Sequence, residues 1–394
     1  MKEKGLPVAE GELVEVTAIK LVAGGDSIAR VAGFPLFIPG LYPGDRAEVE
    51  VTEVRKGFGR ARVRRLQEAS SWRRAEPCPI AGECGGCSWT SLRLDRQLEA
   101  KREILMDSLQ RVGKLDVHAI PLVRLHPSPL NYRLRSRLQV SADVDRSLGF
   151  FASRTNRVVP LVPECEVVGP EVIAHMEDLR RVAADSEITS IETFESGSSF
   201  AVAASPGDGV PVSIRVRGFD YHLSTAAFFQ VNRHLLGTMI DLVLSLAGRT
   251  RTRGSALDLY AGVGFFTVPL GSIFEQVTGV ESSTVSFRYG KVNTKSLSNV
   301  HMVRDDVERF LSSDPQADFV MLDPPRAGLA SGVVEELAHL NASTICYLSC
   351  DPVTFSRDAS RLGRHGWILR TLDLLDLFPN THHIETLSSF VRER

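Results

Sequence analysis

From about residue 218 the chain alternates short apolar runs with amphipathic stretches, and this alternation limits the possible folds more than any other feature. Strand candidates fall at 256–260, 276–281, 300–303, 318–322, 344–349 and 367–372, with helical segments between them. Such repetition specifies a doubly wound, mostly parallel α/β sheet, because parallel neighbours need a crossover to return the chain. Ligands of such sheets gather at the carboxyl ends of the strands. The first candidate runs into a glycine-rich turn, "ALDLYAGVGFFTVPL" (256–270), where Gly262 and Gly264 let the backbone approach a ligand closely. As a dinucleotide fingerprint the turn is incomplete, since the third glycine would fall at Thr267. Three acidic residues sit at successive strand ends: Asp258, Glu281 and Asp306. Asp258 suits an ammonium group, Glu281 a pair of ribose hydroxyls, and Asp306 an adenine amino group. With no phosphate-binding lysine, the set favours S-adenosylmethionine over a nicotinamide dinucleotide; helix capping is the alternative use of such carboxylates.

Upstream, residues 10–66 read as short alternating strands with Gly-rich turns, "ELVEVTAIK", "GDSIARVAG", "FPLFIPG", "DRAEVEVTEVRKG" and "GRARVRRL". They predict a small antiparallel barrel of oligonucleotide-binding type. Net charge is −2, yet residues 51–74 hold eight basic side chains against two acidic ones. Such a block suits a polyanion surface or a solvated rim. The cysteine loop "PCPIAGECGGCSW" follows, and then an amphipathic helix over Ser91 to Val112, with Leu94, Leu98, Ile104, Leu105, Leu109 and Val112 as its apolar positions. Residues 118–217 are strand-rich, and in "NYRLRSRLQV" Arg133, Arg135, Arg137 and Gln139 fall on one strand face. Three arginines on one face favour a phosphate surface over the alternative of a solvated outer face. No apolar run is long enough to span a bilayer, and "MKEKGLPVAE" lacks the apolar core of a signal peptide, so a cytoplasmic, membrane-free protein is expected.

"DLYAGVGFFTVPL", "VMLDPPRAGL", "YLSCDPVTFSRD" and "FPNTHHIETL" occur in this order, with "STAAFFQVN" upstream. Together they resemble the RNA 5-methyluridine methyltransferase family, whose members act on ribosomal or transfer RNA. The resemblance covers essentially the whole chain, because residues 10–66 are also similar to the family's TRAM domain. It implies a TRAM barrel over 1–70, a β-rich central iron–sulfur domain over 71–217, and a Rossmann-like class I methyltransferase domain over 218–394. The helix at 91–112 would pack on the last of these. Gln230, Tyr260, Glu281, Asp306 and Asp323 are the cofactor contacts it implies. Phe265 departs from the family, many relatives carrying Asn there, which removes one polar contact. Ala261, often Cys in relatives, is expected to be neutral.

Carbon 5 of uracil is a poor nucleophile toward a methyl sulfonium. Addition of a thiolate to carbon 6 turns the ring into an enolate with an electron-rich carbon 5. After methyl transfer a base removes the carbon 5 proton and the thiol leaves. Cys350, at a strand end just before Asp351-Pro352, fits the nucleophile, while Cys346, inside the apolar run, fits inert packing. The family match gives Glu385 the role of base; by residue type alone, its neighbours His382 and His383 leave a metal site open. "DPPR" (323–326) resembles the loop that closes over substrate. Arg326 occupies the place where enzymes acting on exocyclic nitrogens carry an aromatic residue, and so suits a phosphate or carbonyl contact.

Cys78, Cys84, Cys87 and the distant Cys165 are the remaining cysteines. Four thiolates can hold zinc or an iron–sulfur cluster, and two disulfides are at odds with a reducing cytosol. The resemblance selects a 4Fe-4S cluster that fastens the central domain, with redox sensing still open. A uridine in a duplex hides carbons 5 and 6, so the target base must be single-stranded or flipped out. Ribosomal RNA is the expected substrate, transfer RNA the alternative, and a monomer is expected because a large substrate needs open access. A non-catalytic iron–sulfur RNA-binding protein is disfavoured by the joint presence of Cys350 and Glu385. A nicotinamide-dependent oxidoreductase is disfavoured by the missing glycine.

Overall fold

The computed structural model describes residues 6–197, 199–205 and 209–392. Its largest sheet has eight strands, in the spatial order Val300–Val303, Gln276–Val280, Ser255–Leu259, Phe319–Leu322, Thr344–Ser349, Glu385–Val391, Ile368–Leu375 and Val123–His126. The first five are parallel to one another. The chain winds outward from Ser255–Leu259 in one direction and then restarts at Phe319–Leu322 in the other, so the topological switch point lies between these two strands. All six strands expected from the alternation are present.

Two members of this sheet escaped the sequence pattern. Glu385–Val391 inserts antiparallel between Thr344–Ser349 and Ile368–Leu375, although its sequence ETLSSFV is not an apolar run. Its serines satisfy themselves inside the sheet: the Ser388 hydroxyl donates to the Tyr347 carbonyl at 3.2 Å, and Ser389 Oγ lies 2.7 Å from Thr371 Oγ1. Val123–His126 adds an edge strand from far upstream, parallel to Ile368–Leu375. It is held by the buried Asp373, which accepts from Arg124 Nη2 at 2.5 Å and lies 2.8 Å from His126 Nε2.

The N-terminal strands form a separate six-stranded sheet, ordered Leu13–Thr17, Arg46–Val54, Gly59–Glu68, Phe34–Ile38, Ser27–Val31, Lys20–Leu21. It has its own core, which includes Leu36, Ile38, Val49 and Val51. The five expected segments are all strands; Lys20–Leu21 is a short sixth, and Phe34–Ile38 pairs with Gly59–Glu68 in parallel where an all-antiparallel barrel was expected. The central region is a five-stranded antiparallel sheet, Val158–Pro160, Leu148–Phe151, Arg135–Val140, Ser190–Ser196 and Ser199–Ser205. Helices Pro170–Ala174 and Met176–Ala183, absent from the strand-rich reading, accompany it. A hairpin, Pro211–Val216 and Phe219–Ser224, leads to the large sheet.

The expected amphipathic helix spans Leu94–Arg111, and its buried face differs from the apolar stripe. Ile104, Leu105 and Leu109 share a core with Tyr347 and Phe355, whereas Leu94 and Val112, near the helix ends, are exposed. The remainder of the inward face is Ala100, Ser108 and the fully buried Gln97 and Lys101. Among the described residues no helix is long and apolar enough to cross a membrane.

Candidate active site and cysteine pocket

Thr344–Ser349 is buried along its whole length and ends at Ser349; Asp351 then caps helix Pro352–Arg364, its Oδ1 accepting the amides of Val353 and Thr354 at 2.9 and 2.8 Å. Cys350 is therefore held between a strand end and a helix N-terminus. Ser349 pairs with Thr386 across the antiparallel ladder, which brings Glu385, the first residue of its strand, alongside Cys350. Asp323 and Arg326 arrive from the neighbouring strand end, after Phe319–Leu322. Four residues singled out in three separate motifs thus meet at one edge of the sheet.

Their electrostatics are coupled. Burial pushes the half-buried Cys350 thiol up to about 11; the Glu385 and Asp323 carboxylates raise it as well, and the Arg326 guanidinium pulls it down. Glu385 is raised well above the usual carboxylate range, by burial first and Asp323 second. No hydrogen bond from a described residue holds its carboxylate. Arg326 donates to His383 Nδ1 at 2.7 Å, which keeps that imidazole neutral; burial and the charges of His382 and Arg326 lower its pKa to about 3. His382 Nδ1 lies 3.1 Å from Ser88 Oγ. With both Nδ1 atoms engaged, the histidines fasten this segment. Cys346 is fully buried in the apolar core, as inert packing requires.

The cofactor candidates line up along the same edge. Gln230 Nε2 donates to Asp323 Oδ2 at 3.0 Å, and Asp323 is raised to about 8 by burial and by Asp258. Glu281 Oε2 accepts the Gly262 amide at 2.9 Å and Oε1 the Ser283 amide at 2.6 Å, tying the second strand end to the glycine turn. Tyr260 adopts a left-handed φ of 64° at the start of that turn, and burial together with Asp306 raises its phenol to about 12. Asp306 does cap a helix, its Oδ1 accepting the amides of Glu308 and Arg309, so the capping alternative holds for this carboxylate alongside any ligand contact. Asp258 lies fully buried beneath the turn; Thr267 Oγ1 donates to Oδ2 at 2.5 Å, while Oδ1 is buried without a partner. Phe265 fills its position with packing: its ring lies 5.5 Å from Tyr221 and 5.3 Å from Phe229, and Tyr221 donates to its carbonyl at 2.9 Å.

Sequence reasoning passed over Phe228. Its side chain is 63% exposed, two residues before the cofactor candidate Gln230, on a loop otherwise largely buried. An exposed aromatic in an apolar doublet was the available signal.

Cys78, Cys84, Cys87 and Cys165 line one pocket together with Arg133, Phe150 and Asn380. Gly85 lies so close to the central sheet that a Cβ there would meet the Phe151 carbonyl at 2.8 Å. Burial raises the thiols of Cys78, Cys84 and Cys87, and each is raised further by its cysteine neighbours. Among the described residues no group of three or more His, Cys, Asp or Glu is arranged to hold a single metal ion.

The three arginines each have contacts within the protein. Arg133 enters the cysteine pocket, over the Phe150 ring at 5.6 Å, with its Nε buried and unpartnered. Arg135 braces the loop before Gln230, donating to the carbonyls of Ala227 and Thr225 at 2.5 and 2.6 Å. Arg137 pairs with Glu192 and, of the three, most nearly faces solvent. The strand's burial alternates, with Arg135, Arg137 and Gln139 on its less buried face. Much of the basic block is likewise paired: Arg62 and Arg64 share Glu50, Arg73 binds the buried Asp45, and Arg74 binds Glu166.

The TRAM domain family model matches residues 7–63, and the tRNA (uracil-5-)-methyltransferase model matches residues 210–392. A 23S rRNA (uracil(1939)-C(5))-methyltransferase RlmD from Pseudomonas aeruginosa (strain UCBPP-PA14) is 30% identical, with 98% of this chain and 96% of that protein aligned. An RlmD from Salmonella paratyphi A is also 30% identical, over 98% and 97%. The crystal structure of Pyrococcus abyssi tRNA (uracil-54, C5)-methyltransferase with S-adenosyl-L-homocysteine shares the fold, with a TM-score of 0.74 at 23% identity over 95% of this chain and 99% of that one. The chain belongs to the RNA (uracil-5-)-methyltransferase family and is an RNA methyltransferase with an N-terminal TRAM domain.

Proposed function

We propose that this chain methylates carbon 5 of a uridine in large-subunit ribosomal RNA, using S-adenosylmethionine, a Cys350–uracil adduct and Glu385 as base. The observation that carries this reading is the meeting of Cys350 and Glu385 at paired strand ends beside Asp323 and Arg326. Ribosomal RNA is chosen because the full-length relatives are named for 23S rRNA.

In this mechanism the Cys350 thiolate adds to carbon 6, and electron density moves to carbon 5, which takes the methyl group from the sulfonium. Glu385 accepts the carbon 5 proton, and the electron pair of that C–H bond restores the ring double bond as the carbon 6–sulfur bond breaks. Burial of Glu385 strengthens its carboxylate as a proton acceptor. Arg326 stabilises charge on the thiolate side. The orphaned Asp258 Oδ1 beneath the glycine turn fits an amino-acid ammonium, and Gln230, Tyr260, Glu281, Asp306 and Asp323 would hold the rest of the methyl donor.

Cys78, Cys84, Cys87 and Cys165 would hold a 4Fe-4S cluster. Their shared pocket and the unpartnered Arg133 Nε suit an anionic group with sulfur acceptors, larger than one ion. Such a group supplies a tie between the cysteine loop and the segment around Cys165. The test is labelled S-adenosylmethionine with ribosomal and transfer RNA transcripts. Label is expected in the ribosomal transcript with wild type and absent with Cys350→Ala; equal label in both would defeat the nucleophile.

A further inference from the structure

The base Glu385 has no side-chain tether among the described residues, so its position is set by the backbone that delivers it. That backbone comes off Asn380, the most heavily bonded residue of the segment. Asn380 is fully buried with φ of 65°, a left-handed conformation that asparagine tolerates better than most residues. Its amide donates to Gln97 Oε1 at 2.7 Å, and its carbonyl accepts the amides of Ser88 and Trp89, both at 3.0 Å. Its side-chain oxygen accepts from Arg74 Nη2 and Gln97 Nε2, each at 3.0 Å, and its side-chain nitrogen donates to Glu166 Oε2 at 2.9 Å. Ser88 follows Cys87 and Glu166 follows Cys165, so two cysteine-bearing segments converge on this one residue. Ser88 Oγ then accepts the His382 amide at 3.0 Å, a second link two residues further on.

We propose that Asn380 is a positioning residue that registers the Glu385 strand against the cysteine pocket, so that the pocket's integrity sets the geometry of proton removal. The proposal rests on the reading of Glu385 as base. Loss of the link leaves thiol addition and methyl transfer intact, because Cys350 hangs on another strand. Proton removal from carbon 5 slows, and the methylated RNA stays bonded to Cys350.

Asn380→Gly tests this cleanly: glycine keeps the left-handed φ and the three backbone hydrogen bonds while deleting the side-chain bonds. In single-turnover reactions with labelled methyl donor and RNA, quenched and resolved under denaturing conditions, Asn380→Gly should hold at least about tenfold more methylated RNA as covalent complex than wild type, with unchanged affinity for S-adenosylhomocysteine. Ser88→Ala, which leaves the Asn380 hub in place, should show a smaller rise and serves if the glycine variant folds poorly. Asn380→Asp with Glu166→Gln exchanges donor and acceptor and should return release toward wild type. Glu385→Gln is the control for the underlying reading: if it accumulates no complex, the base assignment fails by itself. If it accumulates complex while Asn380→Gly and Ser88→Ala release product like wild type, the positioning role is overturned.

Discussion

Alkylation of Cys350 by iodoacetamide, followed by mass analysis of its tryptic peptide, reads the electrostatics of the site without cofactor or RNA. The thiolate is the reactive form, so its population sets the rate. With the thiol at about 11, roughly 3 molecules in 10,000 are ionised at pH 7.5, and each pH unit multiplies that share by about ten. The logarithm of the rate should therefore rise with a slope near +1 from pH 7 to beyond pH 9. An unperturbed cysteine, near 8.5, would already level off there. The sign follows from the surroundings: burial and two carboxylates disfavour the anion, and Arg326 opposes them. Glu385→Gln should speed alkylation at fixed pH and Arg326→Ala should slow it, a tenfold change corresponding to about one pKa unit. Saturating S-adenosylmethionine, whose sulfonium the proposed site would bring toward Asp323, should move the whole profile to lower pH. A profile that levels off below pH 9 in the free enzyme, or opposite signs in the two variants, would refute this account of the site.

Three further outcomes are expected. Lys101→Met removes the cation from a buried pair, Lys101 Nζ to Asp376 Oδ1 at 2.6 Å, and should cost about 3–5 kcal/mol in denaturant unfolding because Asp376 is left uncompensated. Phe228→Ala should raise KM for RNA by a factor equivalent to about 1–3 kcal/mol if the exposed ring stacks on a base, with affinity for S-adenosylhomocysteine unchanged; an unaltered KM would remove Phe228 from the RNA interface. Anaerobically purified protein should be brown and contain about four irons, a count carried over from the proposed cluster; serine at Cys87 should abolish the colour, and a colourless preparation with stoichiometric zinc would overturn the cluster.

Much of the site was legible because chemistry constrains residue type. A strand ending in Cys350-Asp351-Pro352 announces a buried run, a thiol at the strand end and a helix start in a few letters. The glycine turn and the carboxylates at successive strand ends were readable for the same reason. Alternation reports which residues share a face, and not what that face meets: Arg133 meets the cysteine pocket, Arg135 meets carbonyls, and Arg137 meets Glu192. Gln97, Lys101 and Asn380 are polar types that the sequence does not mark as buried, yet each is fully buried and bonded to residues distant in the chain.

What the amino-acid order determined alone was local: the alternating periods that make strands and helices, the turn residues between them, and the reactive groups at strand ends. Only the tertiary structure decided which of those ends are neighbours. Glu385–Val391 reads as too polar for a central strand, and its serines find partners only once Thr344–Ser349 and Ile368–Leu375 flank it. A buried polar group is tolerated when its partner exists, and that partner lies elsewhere in the sequence.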